Sequence, residues 1–575
     1  MAESQTTRAK PAHLALAAGL YLFFALFLIW PIVWVVRSGF VTKSGHFTLS
    51  FIALIFQDPV LVRGLVNAIV IAVVVTVLCL LIALPLAILS VRYDFPGRAL
   101  FSGLLLVPLV LPPFVGAIGM RLVLGRFGTL TQLLGGGGPA GIDWLGRLRV
   151  VGIILVEALH LYPIMLLNVQ ASLANIDPAM QQAAANLGAS RWTIFRKITL
   201  PLIRPGLFAG ATLVLIWSFT ELGTPLMFDF NTITPVQVFK QITDVADNPL
   251  PYALVVVTLI VSTLLYITGK LVLGRGFDAA TTKASVAAGA KKLRGGKAFF
   301  AALPFAIVFL AAVSPHISVI LTSICSTGAW YKSLLPSSLT LSHYSAALVD
   351  DLAIPSIWRS IEYALLATMI AILVGLGVSI IVVRSAVPGR NLIDSLAMLP
   401  LAVPGLVLAF GYLSISIWFK QKLGTRAPLW LDVQESPFVL LVIAYAARRL
   451  PYVVRSIVAG LQQTPRDLEL AAANLGAGRF RVLAKITIPL ILANVIAGAL
   501  LAFAFAMLEV SDSLILAQRK EYYPITKAIW ELSQRLGDGL YIASALGVWA
   551  MILLTLTILS ANSLLGKKMG AIFRV

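Results

Sequence analysis

The chain has 575 residues, of which 59% are hydrophobic and only 12% are charged, and its formal net charge is +20. An ordinary soluble domain is excluded, because about 25% of its residues would be charged. Apolar runs of about 20 residues, long enough to cross a bilayer, recur throughout. The chain is therefore predicted to be an all-α polytopic membrane protein, whose positive charge orients its loops rather than binding nucleic acid.

The first apolar stretch, LALAAGLYLFFALFLIWPIVWVV, follows the short polar segment MAESQTTRAKPAH. It is longer than the core of a signal peptide and no small-residue cleavage pattern follows it, so it is predicted to be a retained span. Twelve spans are predicted, six in each half. They lie near 13–36, 64–91, 100–120, 150–172, 206–228, 250–272, 298–324, 361–383, 392–419, 437–458, 492–515 and 541–565.

The loops between these spans fix the predicted topology. With the N-terminus in the cytoplasm, the excess of Lys and Arg falls on the inner side, and the even number of spans returns the C-terminus to the cytoplasm. The small, basic segment 275–297 is predicted to be a flexible cytoplasmic linker between a first half, 1–274, and a second half, 298–575. Two cysteines allow neither a disulfide framework nor a zinc site.

The two halves share a repeated sequence. Residues 183–203, AAANLGASRWTIFRKITLPLI, and 471–491, AAANLGAGRFRVLAKITIPLI, are identical at 14 of 21 positions. Upstream, RYDFPGR and RSAVPGR follow the second and eighth spans, and each is followed by PLVLP or PLAVP. The same order of parts in both halves predicts two parallel, pseudo-symmetric units. Most of each copy lies in a loop between spans, 177–201 in the first half and 464–489 in the second.

Local chemistry predicts a short helix in each of these loops. Asp177, followed by proline, is a suitable N-cap, and Gly188 suits the left-handed position after the helix. In the second loop Thr464, also followed by proline, is predicted to play the same part, in a helix one residue longer that ends before Gly476. The alanines of each helix let another surface approach closely. The alternative is a lid that packs on the chain's own membrane domain.

The doubled motif resembles the signature EAA, three residues, Gly, nine residues, I-x-L-P of the permease subunits of bacterial ABC importers. The matching residues are Ala183, Ala184, Gly188, Ile198, Leu200 and Pro201 in the first copy and Ala471, Ala472, Gly476, Ile486 and Pro489 in the second. Gln182 and Leu470 stand where the glutamate is expected, and Glu469 lies one place earlier. The resemblance covers nearly the whole chain, and the fused arrangement is similar to that of the ferric-iron type permeases.

This resemblance implies a bacterial inner-membrane protein, surrounded by lipid, that works with two copies of a soluble ATP-binding subunit and an extracytoplasmic substrate-binding protein. The repeated helices would be the coupling helices that contact the ATPase, through Gln182, Ala183, Ala184, Gly188, Glu469, Ala471, Ala472 and Gly476. The chain contains no G-x-x-x-x-G-K-[ST], and its GGGG at 135–138 is followed by PAG. ATP and Mg²⁺ are thus expected on the partner, with no cofactor, metal or catalytic residue in this chain.

The resemblance favours ferric iron as the solute. Thiamine, phosphonate or organophosphate, and sugar phosphate stay open, because related permeases carry them. Four arginines predicted on the outer side would suit an anionic solute or an acidic patch on a binding protein: Arg121, Arg126, Arg147 and Arg149.

Four glutamates fall in or at the ends of spans: Glu157, Glu221, Glu362 and Glu509. Glu221 and Glu509 are 288 residues apart, which is the repeat offset, and are hypothesised to face the translocation pathway, as contacts for a cationic solute or as an outer latch. The alternative is that each bonds a neighbouring helix. Glu157 and His160 have di-iron-like spacing but no second copy, so a satisfied interior pair is favoured over a metal site.

A secondary transporter is the rival class, because such proteins also have parallel six-plus-six halves with basic turns after spans two and eight. The doubled loop helix argues against it. A membrane enzyme finds no support, since no nucleophile–base pair is evident.

Overall fold

The computed structural model describes residues 11–42, 44–110, 113–134, 144–146, 148–242, 248–273 and 290–565. The glycine run at 135–138, Arg147, most of the segment 275–297 and the C-terminal ten residues lie outside these ranges. Within them the chain is almost entirely helical, as predicted.

The helices of the first half all lie before the linker segment. They are α1 (Pro11–Phe24), α2 (Trp30–Phe40), α3 (Ser50–Gln57), α4 (Pro59–Arg92), α5 (Arg98–Leu104), α6 (Val107–Val110), α7 (Pro113–Val123), α8 (Thr129–Leu133), α9 (Arg149–Ala174), α10 (Pro178–Asn186), α11 (Arg191–Ile194), α12 (Leu200–Phe219), α13 (Gly223–Met227), α14 (Thr234–Lys240) and α15 (Leu250–Leu273). Single π-helical turns join α1 to α2 and α11 to α12.

The second half repeats this order of helices. They are α16 (Gly296–Ser323), α17 (Ser342–Val349), α18 (Ala353–Arg384), α19 (Arg390–Ala402), α20 (Gly405–Leu423), α21 (Phe438–Gln463), α22 (Asp467–Asn474), α23 (Arg479–Val482), α24 (Ile488–Met507), α25 (Ser511–Leu516), α26 (Ile525–Ser533) and α27 (Gly539–Leu565). A π-helical turn again joins α23 to α24.

Among the described residues, nine helices are long and apolar enough to cross a membrane, and eleven if each of two bent pairs counts as one span. The predicted span at 437–458 is the 26-residue α21. It falls outside this set because it carries Arg448, Arg449 and Arg455. All twelve predicted segments therefore coincide with helices, but one of them is too charged to count as a span by composition.

The third span of each half is broken rather than continuous. The segments Arg98–Leu109 and Pro113–Val123 meet at 89°, and Arg390–Ala402 and Gly405–Leu423 meet at 100°. The sequence analysis expected single spans at these places. The prolines of PLVLPP and PLAVP explain the breaks, since proline lacks the amide hydrogen that would continue the helix.

The two halves interleave. The first helix of each packs on the other half: α1 on α18 and α19, and α16 on α5, α7 and α9. The Tyr21 hydroxyl of α1 donates to the carbonyl of Gly389, 2.9 Å away, at the start of α19. Conversely, Phe305 of α16 packs on Phe95 and Phe101 of the first half. One large apolar core therefore runs through both halves.

The end of the linker segment is ordered. Strand β1 (Tyr93–Asp94) pairs in parallel with β2 (Lys291–Lys292), and the amide of Leu293 donates to the carbonyl of Asp94 at 2.8 Å. The last residues before α16 are thus bound to the turn after α4, where the sequence predicted a flexible connection.

Candidate functional site

The predicted loop helices exist in both halves. In α10 the Asp177 carboxylate accepts from the amide of Ala179 at 2.9 Å, as an N-cap does. Gly188 and Gly476, which follow α10 and α22, both have φ of +82°. This is the left-handed conformation predicted for these glycines, and it favours glycine because a Cβ atom would be strained there.

The second copy begins differently from the prediction. The Thr464 hydroxyl donates to the carbonyl of Gly460, 2.9 Å away in α21, instead of capping α22. Because that hydroxyl is used on the preceding helix, α22 starts only at Asp467 and has eight residues against nine in α10. The prediction that the second helix is capped by Thr464 and is one residue longer was wrong.

None of the residues of α10 or α22 is buried. Leu187 and Leu475, which occupy equivalent positions at the ends of the two helices, are 88% and 89% exposed. Trp192 and Phe480 form a second equivalent pair, and they are 67% and 84% exposed. The two helices contact the following short helices and π-turns of their own loops. Repeated exposed apolar residues are typical of a protein-binding surface, which favours the coupling-helix interpretation over a lid.

One polar residue of each loop helix is bound to the membrane domain. Arg92, at the end of α4, donates to Gln181 Oε1 and Thr199 Oγ1, each at 3.2 Å. In the second half, Arg384 Nε lies 3.3 Å from Glu469 Oε1. The residue equivalent to Glu469 is thus Gln181. The Gln182 and Leu470 side chains, at the family's glutamate position, are exposed.

Glu509 lies in a buried ion cluster. Its carboxylate is paired with Arg448 Nη1 at 2.5 Å and with Arg449, both on the neighbouring α21. Asp512, completely buried, lies 3.7 Å from the Arg448 guanidinium. Glu509 therefore makes the neighbouring-helix contact that was the alternative to a pathway role. The sequence analysis missed the two arginines as its partners, although arginine within an apolar span is itself a signal.

Glu221 occupies the equivalent position in a different environment. It is partly buried, and its Oε1 accepts from the amides of Gly223 and Thr224 at 3.0 and 3.2 Å. Glu509 and Arg448 of the other half lie within electrostatic range of it. The charges of the two glutamates thus act on each other across the boundary between the halves, and in the described part of the chain only Glu509 is ion-paired.

Glu157 and His160 bind separate partners rather than each other. The Ser218 hydroxyl donates to the buried Glu157 carboxylate, and His160 Nδ1 lies 2.7 Å from the carbonyl of Pro108. In the described part of the chain, no three His, Cys, Asp or Glu side chains are grouped to hold a metal. Glu362 pairs with Arg359 at 2.8 Å.

Three of the four arginines predicted as possible anion contacts are engaged within the chain, and the fourth, Arg147, lies outside the described residues. Arg121 pairs with Asp229 at 3.0 Å, and Arg149 donates to the carbonyl of Asp229 at 2.7 Å. Arg126 lies over the ring of Phe127.

The halves meet again through α14 and α26, at the end of the bundle away from the loop helices. Phe239 of α14 packs edge-on against Trp530 of α26, with ring centres 5.5 Å apart. The buried Lys527 ammonium lies over the rings of Trp530 and Tyr523, at 4.8 and 5.4 Å, and 3.4 Å from Glu531. We call this the α14–α26 contact.

Comparisons with known proteins agree with this architecture. The family model described as "Binding-protein-dependent transport system inner membrane component" matches twice, at residues 79–276 and 368–569. Ferric transport system permease protein FbpB of Actinobacillus pleuropneumoniae is 27% identical over 514 residues, which are 86% of this chain and 70% of that protein.

Two further relatives are named as permeases for iron and for molybdenum. Fe(3+)-transport system permease protein FbpB 2 of Haemophilus influenzae is 24% identical over 462 residues, 77% of this chain and 79% of that protein. Molybdenum transport system permease protein ModB of Escherichia coli is 36% identical, but only over 146 residues, 25% of this chain and 61% of that protein.

Proposed function

The chain belongs to the family of inner-membrane components of binding-protein-dependent transport systems, and from that premise we propose that it moves ferric iron and is driven by two copies of a soluble ATP-binding subunit. As a family member with two matched halves, it is a fused permease of an ABC importer and a multi-pass inner-membrane protein. The rival interpretation as a secondary transporter is wrong, because both halves match this family.

The observation that carries the proposal is the doubled exposed surface. Leu187 and Leu475 are almost fully exposed at equivalent positions, and Trp192 and Phe480 form a second exposed equivalent pair. A chain that exposes the same apolar surface twice is suited to two identical partners. We therefore assign α10 and α22 to the ATPase subunits, where ATP and Mg²⁺ would be held, and place this face in the cytoplasm.

Iron is favoured over the other solutes because the relatives that match most of the chain are named for ferric transport. The molybdenum permease matches only a quarter of the chain. Glu221 and Glu509 lie where the halves approach each other, and we assign Glu221, whose carboxylate is not ion-paired, to the pathway. The binding protein would dock at the face opposite the loop helices.

The mechanism we propose is alternating access. Closure of the ATPase dimer moves α10 and α22 toward each other, and the halves separate at the α14–α26 contact at the opposite end. ATP then acts by favouring one of two membrane conformations, as ligand-driven switching requires.

The test is co-purification of the ATPase with variants of the tagged chain. Leu187→Glu and Leu475→Glu should each remove about one of two ATPase copies, and the double variant both, because a charge in an apolar contact is costly to bury. Leu536→Glu is the control. Leu536 is 97% exposed, but it follows α26 at the end of the bundle away from the loop helices. Full ATPase recovery with the double variant would contradict the proposal.

The solute is tested separately, with the chain, its ATPase and its binding protein in liposomes. Uptake of radioactive ferric iron that depends on ATP would support the iron assignment. Uptake of molybdate or a phosphonate instead would overturn it while leaving the importer assignment intact.

A further inference from the structure

The second span of each half, α4 or α18, is bonded at both ends to the moving parts of the proposed mechanism. At the loop end, Arg92 of α4 contacts Gln181, just before the repeated alanines, and Arg384 of α18 contacts Glu469. At the other end, Gln237 of α14 donates to the carbonyl of Val60 in α4 at 2.8 Å.

The second half has the same arrangement. The amide of Ile525, the first residue of α26, donates to Ser360 Oγ of α18 at 2.7 Å. Nearby, the Tyr363 hydroxyl of α18 donates to the carbonyl of Tyr522 at 3.0 Å. Each helix is unbroken and more than 30 residues long. At 1.5 Å per residue, its two sets of contacts are about 48 Å apart in α4 and about 36 Å apart in α18.

The contacts at the loop end are repeated position by position. Gln181 and Glu469 are 288 residues apart, as are Thr199 and Thr487. Thr199 accepts from Arg92, whereas the Thr487 hydroxyl donates to Glu469 Oε1 at 3.1 Å. Although the partner of the threonine differs, both halves thus join an arginine at the end of the second span to the same position of the loop helix.

The two copies differ in charge. In the first, the charged Arg92 guanidinium donates to a neutral amide oxygen, whereas the second is an ion pair whose side chains are only 13% and 16% exposed. Arg384 Nη2 also donates to the carbonyl of Thr464 at 2.9 Å. The second contact adds the attraction between two opposite charges that are largely shielded from water, so it is the stronger of the two.

We propose that α4 and α18 transmit movement of the loop helices to the α14–α26 contact. Arg92 and Arg384 are the positioning residues at the loop end. The second half transmits this movement more tightly, through its ion pair. This inference rests on the proposed function, because the ATPase supplies the movement. The two ATPase subunits therefore act on the pathway unequally.

The test measures switching at the α14–α26 contact in the complex with its ATPase. Spin labels at Lys240→Cys and Leu536→Cys, both exposed sites at that end, report the distance between the halves with and without trapped ATP. In complexes that retain the ATPase, Glu469→Gln should lower the ratio of switched to unswitched complex about tenfold, as expected for loss of a charged partner. Gln181→Glu in the same variant should restore most of this loss by making the first contact ionic.

The matched control is Glu435→Gln, which removes an ion pair with Arg519 that is about half exposed and lies away from the loops. The melting temperature of each chain without ATPase separates a folding defect from lost transmission. The inference is overturned if Glu469→Gln switches like Glu435→Gln, or if its loss follows melting temperature alone. Failure of the wild-type chain to bind any ATPase would overturn the proposed function as well.

Discussion

Phe239 and Lys527 hold equivalent positions in the two halves, 288 residues apart, and lie against each other, with the Lys527 ammonium 5.6 Å from the centre of the Phe239 ring. Residues related by a two-fold rotation can touch only at the axis. The α14–α26 contact therefore marks the pseudo-two-fold axis at the end away from the loop helices. Glu221 and Glu509, a second equivalent pair, also interact across this axis.

Replacement of Lys527 by Met should weaken the α14–α26 contact, which closes the pathway at this end in the proposed mechanism. The variant keeps the length of the side chain but loses cation–π contacts to three rings, together worth about 1–2 kcal/mol, which shifts an equilibrium roughly five- to thirtyfold. We expect the ATPase rate of the complex without binding protein to rise by a factor in that range. Lys240→Met, at the exposed end of α14, is the control, and equal rates for both variants would contradict a closing role.

Replacement of Glu509 by Gln should destabilise the chain strongly. Arg448 and Arg449 would lose their shared counter-charge, and breaking a buried ion pair costs about 3–5 kcal/mol. The melting temperature in detergent measures the effect. Glu362→Gln, which removes the more exposed pair with Arg359, should cost at most about 1 kcal/mol. A decrease for Glu509→Gln as small as that for Glu362→Gln would show that the cluster does not hold the second half together.

Glu221→Gln should leave folding unchanged, because an amide oxygen can still accept from Gly223 and Thr224. If the carboxylate contacts a cationic solute, iron uptake in liposomes should fall about tenfold, as expected for loss of a charged partner. Normal uptake at an unchanged melting temperature would remove Glu221 from the pathway.

Gly405→Ala should disturb the same ion cluster from another helix. A Cβ at Gly405, the first residue of α20, would lie 1.8 Å from Arg448 Nη1. Since Glu509 holds that guanidinium, it cannot move away without weakening the pair, and we expect a loss of about 1–3 kcal/mol. Gly296→Ala, where nothing lies within 4 Å, is the control. The combination with Glu509→Gln should cost less than the sum of the two losses, and full additivity would mean that the sites are independent.

Features set by local chemistry could be predicted from the sequence. The repeat located α10 and α22, and the need for left-handed glycines identified Gly188 and Gly476, because a helix end is determined by its nearest residues. The same reasoning failed at Thr464, whose hydroxyl had a competing acceptor in the preceding helix. A pattern of residue types could not decide between the two bonds.

Features set by packing between distant segments could not be predicted. Gln181 binds Arg92 because the orientation of α10 places that side chain toward α4, a relationship that the family motif does not indicate. The prolines of the third spans were a visible signal for the breaks. The continuous hydropathy of 100–120 and 392–419 favoured unbroken spans instead, and the prediction followed it. Contact between Phe239 and Lys527 had one signal as well, their shared offset of 288.

The contact of Phe239 with Lys527 also bears on why the two halves are one chain. In a dimer of identical subunits each residue at the axis faces its own copy, so a lysine there would face a lysine and a carboxylate a carboxylate. In a fused chain, the two halves are encoded at separate positions of one gene. They are therefore inherited together and are made in a fixed one-to-one ratio. Duplicated halves can then diverge into complementary partners, aromatic against cation at one level and a hydrogen-bonded glutamate against an ion-paired one at another.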